Sequence, residues 1–157
     1  MITFLANLLL ALVWAAMTGG FSLANLGLGF VLGYVALYLA HQVVGESAYF
    51  RRIGRVARFV GFYVVEIFKA NLRVALDVVT PRHRSRPGIV AVPLEARTDA
   101  EITLLANLLT MTPGSLSIDV SEDRRVLYVH AMFVDDADAF RQRIKDDFER
   151  RVLEMLR

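Results

Sequence analysis

The chain has 157 residues, 55% of them hydrophobic, with Lys+Arg 18, Asp+Glu 16 and no cysteine. Every one of these charges lies after Gly45. A charge-free stretch of that length cannot present a solvated surface, which excludes an ordinary soluble globule and a disordered chain, while the missing cysteines exclude a disulfide-built domain and Cys-based zinc chemistry.

The charged part is uneven. Glu46–Pro87 is strongly basic, with clusters at Arg51, Arg52, Arg55, Arg58 and at Arg82, Arg84, Arg86, whereas Gly88–Arg157 is acidic on balance. The basic belt follows directly on the apolar stretch, as in a membrane protein, so the positive overall balance does not indicate a nucleic-acid surface.

The first apolar segment, Ile2–Met17, is broken by Thr18-Gly19-Gly20 and followed by a second, Phe21–Val44. No basic residue precedes the first, so retained membrane helices are expected rather than a signal peptide. Sixteen helical residues reach only about 24 Å, short of a hydrocarbon core of about 30 Å, so the pair reads as a hairpin with one short arm. Gly27, Gly29 and Gly33 are small residues that let another helix approach, and Trp14, Tyr34 and Tyr38 are candidate interfacial anchors.

Segment three, Ile53–Thr80, is long enough to span yet carries Glu66, Lys69, Arg73 and Asp77 at steps of 3 and 4, with Arg51, Arg55, Arg58 and Phe62 extending the stripe. These side chains share one helix face, Val60, Val64, Phe68 and Leu72 lie away from it, and Glu66–Lys69 and Arg73–Asp77 are spaced as ion pairs. A charge at the bilayer centre costs roughly 2.5–3.5 kcal/mol. The stripe therefore either meets polar surface of other proteins, or the helix lies along the membrane with its charges in water. With little partner surface visible within one small chain, the first option implies a component of a larger assembly. Three spans ending in a cytoplasmic domain place the Arg51–Arg58 stretch outside, against the positive-inside rule.

Beyond a basic linker, residues 81–87, a small α+β domain is expected over residues 88–157. Gly88–Glu95 reads as a strand that Pro93 ends or confines to an edge. Thr98-Asp99-Ala100-Glu101 is a capping box opening a helix with Ile102, Leu105, Leu108 and Leu109 on its apolar face. Pro113-Gly114 stops it; Ser115–Val120 and Val126–Val134 form a hairpin across the turn Ser121–Arg125. Asp135-Asp136 starts a last helix with Phe140, Ile144, Phe148, Val152 and Met155 as its apolar stripe. The fold class is thus membrane α-helical, with about three transmembrane helices over residues 1–80, the first two as a hairpin, plus a β-α-β-β-α domain.

Catalytic patterns are missing from the sequence. There is no Gly-rich phosphate loop and no His-Glu-x-x-His, and Gly114-Ser115-Leu116-Ser117 is not a nucleophile elbow. His41 reads as interfacial, His83 as part of the basic linker and His130 as structural. Asp119, Glu122 and Asp123 read as a solvated turn, and the basic residues Arg141, Arg143, Lys145, Arg150 and Arg151 as a solvated helix face. No cofactor or metal is expected.

One run is recognisable: Asn107-Leu-Leu-Thr110-Met-Thr112-Pro113-Gly114-Ser115-Leu116-Ser117-Ile118-Asp119-Val120 resembles the E-type subunits of the Mrp-type (Mnh, Pha) multisubunit cation/proton antiporters. Glu66-Ile-Phe-Lys69-Ala-Asn71-Leu-Arg73 and Pro87-Gly88-Ile-Val-Ala-Val-Pro93-Leu support it. The resemblance implies a multi-pass accessory subunit of a bacterial Na+/H+ antiporter in the cell membrane. Its C-terminal domain would be cytoplasmic and its partners would include large antiporter-like subunits. It carries over Glu66, Lys69, Asn71 and Arg73, with Asp77 on the same stripe, as intramembrane contacts with other subunits. In the domain it carries over Asn107, Thr110, Thr112, Pro113, Gly114 and Asp119, and no catalytic role with any of them. By its residues alone, Thr-Pro-Gly is a helix stop that aims the next strand. A membrane-anchored module whose C-terminal domain recruits a cytosolic partner is the alternative.

Overall fold

The structure is a computed structural model that describes residues 2–44, 48–81 and 85–157, and side chains of all of these except 41–44 and 48. The readings of Glu46, Arg82, His83, Arg84 and the His41 side chain lie outside the described residues. Two compact units emerge, Met1–Gly54 and Arg55–Arg157, so most of the third helix packs with the C-terminal domain, whereas hydropathy alone puts the border at Thr80.

In the first unit α1 (Ile2–Met17) and α2 (Leu23–Val44) pack on each other. Gly19 adopts φ 69°, and its N–H donates to the Ala16 carbonyl while Gly20 N–H donates to Ala15. This left-handed cap closes the end of α1 and starts the turn. Asn25 then ties the turn down: its Nδ2 donates to Thr18 Oγ1 and the Gly20 carbonyl, and its Oδ1 accepts from the Trp14 indole. Asn7, Ala11 and Ala15, one stripe of α1, are buried, and Gly29 and Gly33 of α2 approach that stripe. A Cβ on Gly33 would sit 2.5 Å from Asn7 Oδ1, and one on Gly29 would sit 3.0 Å from the Ala11 carbonyl oxygen. The small-residue reading thus holds for these two, with the partner helix in the same chain; Gly27 has open space around it. Trp14 is occupied by Asn25, and Tyr34 and Tyr38 stack at 6.3 Å, each meeting Phe50 edge-on.

Among the described residues one helical stretch, Leu23–Ala40, is long and apolar enough to cross a membrane; Ile2–Met17 is apolar but shorter. The third helix, α3 (Ala48–Val79), has 32 residues and is strongly two-faced.

The second unit adds β1 (Gly88–Pro93), α4 (Asp99–Met111), β2 (Ser115–Val120), β3 (Val126–Ala131), α5 (Ala137–Arg143), a π-helical turn Ile144–Glu149, and α6 (Arg150–Leu156). The strands form one antiparallel sheet in the order β1-β3-β2. Pro93 is the last residue of an edge strand, where its missing N–H costs nothing. Thr98 accepts from Glu101 N–H and the Glu101 carboxylate accepts from Thr98 N–H, a complete capping box. Val90, Val92, Leu127 and Val129 of the sheet pack on Ile102, Leu105 and Leu109 of α4 and on Phe140, Ile144 and Phe148.

Two features of the domain depart from the sequence pattern. In β2 the serines face inward and Leu116 and Ile118 face out, because Ser115 Oγ donates to Leu109 O at 2.6 Å and Ser117 Oγ to Ala106 O at 2.9 Å, clamping the strand to α4. A bulge between Ser117 and Asp119 then returns Val120 inward. The last helix contains the π turn, and Glu149 on it is buried. Its Oε1 accepts from the N–H groups of Glu95 and Ala96, closing the chain beyond the edge strand. Burial works against the Lys145 charge, but the Glu95 and Glu149 carboxylates outweigh it and raise its pKa.

Candidate functional site

The polar stripe of α3 faces the domain of its own chain. At its N-terminal end Arg55 donates to the Glu154 carbonyl at 2.8 Å, and Phe59 is buried with Leu108 and Val152. Tyr63 stacks on Phe59 and donates its hydroxyl to the Leu108 carbonyl at 3.0 Å. Phe62 meets Phe148 edge-on at 5.8 Å, and the Arg151 guanidinium lies over the Phe62 ring at 4.1 Å.

Further along, the two sequence motifs meet. A small cavity of about 60 Å³ is walled by Glu66, Lys69 and Arg73 of α3 and by Thr112, Pro113 and Gly114 of the loop after α4. Thr112 Oγ1 donates to Leu108 O, finishing the helix, and Gly114 takes φ 86°, a backbone angle that favours glycine. A Cβ at Gly114 would stand 3.6 Å from both Val74 of α3 and Phe133, so this residue also sets how closely the loop approaches the helix. Arg73 lies over Phe133 at 5.9 Å, and Asp77 is buried on a wider open cleft of about 550 Å³ that Phe140 and Arg143 also line. The Arg143 side chain reaches solvent, yet desolvation by its packing and, second, the like charge of Arg73 lower its pKa from the ordinary value.

Six of the expected contact residues in α3 and the loop, Glu66, Lys69, Arg73, Thr112, Pro113 and Gly114, therefore sit on one seam, and Asp77 continues it. This corrects the expectation that one small chain offers little surface to receive the stripe. The domain folds back over the helix, and aromatic rings, backbone carbonyls and the Glu66–Lys69 pair at 2.8 Å meet the polar face. Lys69 borders the seam but keeps 62% of its side chain exposed, and Asn71 is exposed and bonds back to Ile67 O. Asn107, Thr110 and Asp119 are exposed, Thr110 Oγ1 accepting from Ser117 N–H and Asp119 from Val120 N–H.

The opposite face of α3 is bare. Val56, Val60, Val64, Phe68, Leu72, Leu76 and Val79 are all exposed, Phe68 by 70%. Phe59, Tyr63 and Glu149 belong to the seam and the domain core without having been singled out in the sequence, and Arg151, expected on a solvated helix face, lies over Phe62 instead. Phe59 and Tyr63 were legible as part of the stripe, since each stands three residues before one of its members, Phe62 and Glu66, and they are four residues apart; Glu149 was hidden among alternating charges. Among the described residues no group of His, Cys, Asp and Glu is arranged to hold a metal ion.

Comparison with known proteins places this arrangement. The profile of the family described as Na+/H+ ion antiporter subunit matches residues 7–155. The E-type subunit of the Na(+)/H(+) antiporter of Alkalihalophilus pseudofirmus is 34% identical over 151 residues, covering 96% of each chain. That of Bacillus subtilis is 33% identical over 153 residues, covering 98% of this chain and 97% of the relative. A chain in the structure of the Mrp complex from Dietzia sp. superposes with a TM-score of 0.52 at 27% identity, covering 66% of this chain and 96% of that one. A chain of the archaeal membrane-bound sulfane sulfur reductase shares the fold over 96% of both chains, with a TM-score of 0.59 at 21% identity. With a family match over nearly its whole length, the chain belongs to the family of E-type subunits of Na+/H+ antiporters.

Proposed function

We propose that this chain is a non-catalytic, membrane-embedded accessory subunit of a multisubunit Na+/H+ antiporter, supporting its assembly and activity. The observation that carries the structural part is the division of α3: its polar face is partly covered by the chain's own domain, and its apolar face stays bare from Val56 to Val79. A helix of that kind lies in the membrane surface, apolar side down, rather than crossing it. The α1–α2 hairpin then supplies the crossings, and the domain sits on the cytoplasmic side. Arg51, Arg52, Arg55 and Arg58 become cytoplasmic, which removes the conflict with the positive-inside rule that three spans create.

Because the chain has no cysteine, single Cys substitutions at Val56, Val64, Leu72 and Val79 report depth cleanly. Nitroxide labels at these four sites should share one shallow depth; a profile passing through the bilayer centre defeats the surface placement. Other subunits then meet α3 at Lys69 and Asn71, and the domain through Asn107, Thr110 and Asp119. Glu66, Arg73, Asp77, Thr112, Pro113 and Gly114 hold the seam that presents these contacts. Lys69→Leu and Glu66→Gln should weaken recovery of the assembled complex and growth in high Na+; full complex and full salt resistance in both variants would remove the role in contacting other subunits.

The bare outer face of the sheet, with Ile89, Leu116 and Ile118 exposed, favours a second reading, a membrane-anchored module that recruits a cytosolic partner. Exchange of residues 1–54 for an unrelated hairpin discriminates: retained function supports the module, and lost function the antiporter component.

A further inference from the structure

We propose that Arg73 of α3 and Arg143 of α5 together hold an oxyanion, a phosphate or carboxylate group, in the open cleft beside the seam. The two side chains belong to the wall shared by that cleft of about 550 Å³ and the small cavity of about 60 Å³. Each lies on a phenyl ring, Arg73 at 5.9 Å from the centre of Phe133 and Arg143 at 5.3 Å from the centre of Phe140. Among the described residues neither guanidinium forms an ion pair or a hydrogen bond with a carboxylate. The two repel each other: desolvation first and the Arg73 charge second work against the charge of Arg143, and they outweigh the attraction of Glu66 and Asp147. An arginine keeps its proton, so the repulsion is relieved only by a counter-ion or by separation, and the rings favour both side chains where they stand.

The acids around the cleft are already engaged. Asp135 faces Arg86 at 3.7 Å, Asp136 accepts from the N–H groups of Asp138 and Ala139 at the start of α5, and Asp77 is partnered as well. Glu66, on the cavity side, is held by Lys69 at 2.8 Å. The arginine pair is what remains uncompensated. A guanidinium presents parallel N–H donors that fit two oxygens of a carboxylate or a phosphate, and the volume of the cleft lies within the roughly 300–1,000 Å³ of small-ligand sites. Two sources supply this chemistry, a free anion and an acidic side chain of a neighbouring subunit; the second rests on the antiporter reading above.

The test is isothermal titration calorimetry of the full chain in detergent with inorganic phosphate at constant ionic strength. Phosphate should bind at one saturable site, acetate should compete for it, and chloride should not. Arg73→Gln and Arg143→Gln, each folded by circular dichroism, should weaken binding by about tenfold, and lysine at either position should restore part of it. A double variant away from the cleft, Arg97→Gln with Arg125→Gln, should stay within about twofold of the parent chain. Phosphate should also raise the melting midpoint of the parent chain but not that of Arg143→Gln, a difference that loss of a merely structural contact does not produce. The proposal falls if the titration does not saturate, if chloride competes as well as acetate, if the double variant loses as much, or if phosphate stabilises Arg143→Gln equally. The assembled complex then identifies the source. Phosphate binding retained there means a free anion; binding blocked, with recovery of the complex lowered by Arg143→Gln, means a neighbour's acidic side chain; binding blocked with recovery unchanged overturns the proposal for the assembled protein. Calorimetry of the chain alone does not depend on the antiporter reading, so either can fail without the other.

Discussion

The two units solve the same problem in opposite ways. In the α1–α2 hairpin, polar groups are few, and contact is made by removing side chains: Gly29 and Gly33 bring the backbone of α2 down to Asn7 and Ala11. In the α3 unit, polar groups are many, and contact is made by adding cover: Phe59, Phe62 and Tyr63 insert into a domain that also receives Glu66, Arg73 and Asp77. Lipid offers no hydrophobic drive between helices, so the hairpin depends on close fit. The domain has both an apolar core and backbone carbonyls to offer a two-faced helix. The difference teaches that the chain makes helix contact by close fit in one unit and by cover in the other.

The contrast breaks most readily at the seam. Phe59→Ala should destabilise the full chain by about 3–5 kcal/mol, because a buried ring leaves a cavity between Leu108 and Val152. Thermal denaturation in detergent measures it, and a shift no larger than that of an exposed control such as Phe68→Ala would mean the seam contributes little. In the hairpin, Gly33→Leu should cost about 1–3 kcal/mol by overpacking, whereas Gly27→Leu, with open space around it, should be tolerated. Equal effects of the two would mean that the helices are not held by close approach.

A smaller effect sharpens the account of the domain. Ser117→Ala should cost about 0.5–1.5 kcal/mol through loss of the bond to the Ala106 carbonyl, measured by the same denaturation. The smallest expected effect is a change of slope with pH. The Arg157 guanidinium, followed by the N–H groups of Arg97 and Thr98, lowers the Glu101 pKa to about 2 from an ordinary 4.5. A depressed carboxylate pKa stabilises the fold above the unfolded value, and that stabilisation is lost as pH falls from about 4.5 through about 2. Glu101→Gln should flatten this acid limb, with Glu95 and Asp123, whose pKa values are also lowered, supplying the remainder. An unchanged acid limb would show that the Glu101–Arg157 pair does not form in solution.

The domain was largely legible because its signals are local. The capping box at Thr98, the stop at Pro113-Gly114 and the turn at Ser121–Arg125 each depend on a few adjacent residues, and the structure has them where the sequence puts them. The orientation of β2 was not legible, since hydrophobic alternation puts Leu116 and Ile118 inside. Two hydroxyl-to-carbonyl bonds to a helix that precedes the strand outweigh it. The seam was half legible: the stripe on α3 was plain from its spacing, but the surface it meets is assembled from α4, its following loop and the last helix, and no periodicity along α3 names them.

Sequence alone determined the apolar hairpin, the two-faced third helix, the order of elements in the domain and the family, because each rests on composition, spacing or a continuous motif. Only the tertiary structure decided which surface receives the charged face of α3, which way β2 turns and what the buried Glu149 does. Those outcomes depend on hydrogen bonds and ring contacts between residues far apart along the chain, such as Tyr63 with Leu108 and Glu149 with Glu95, and a linear pattern carries no record of such distances.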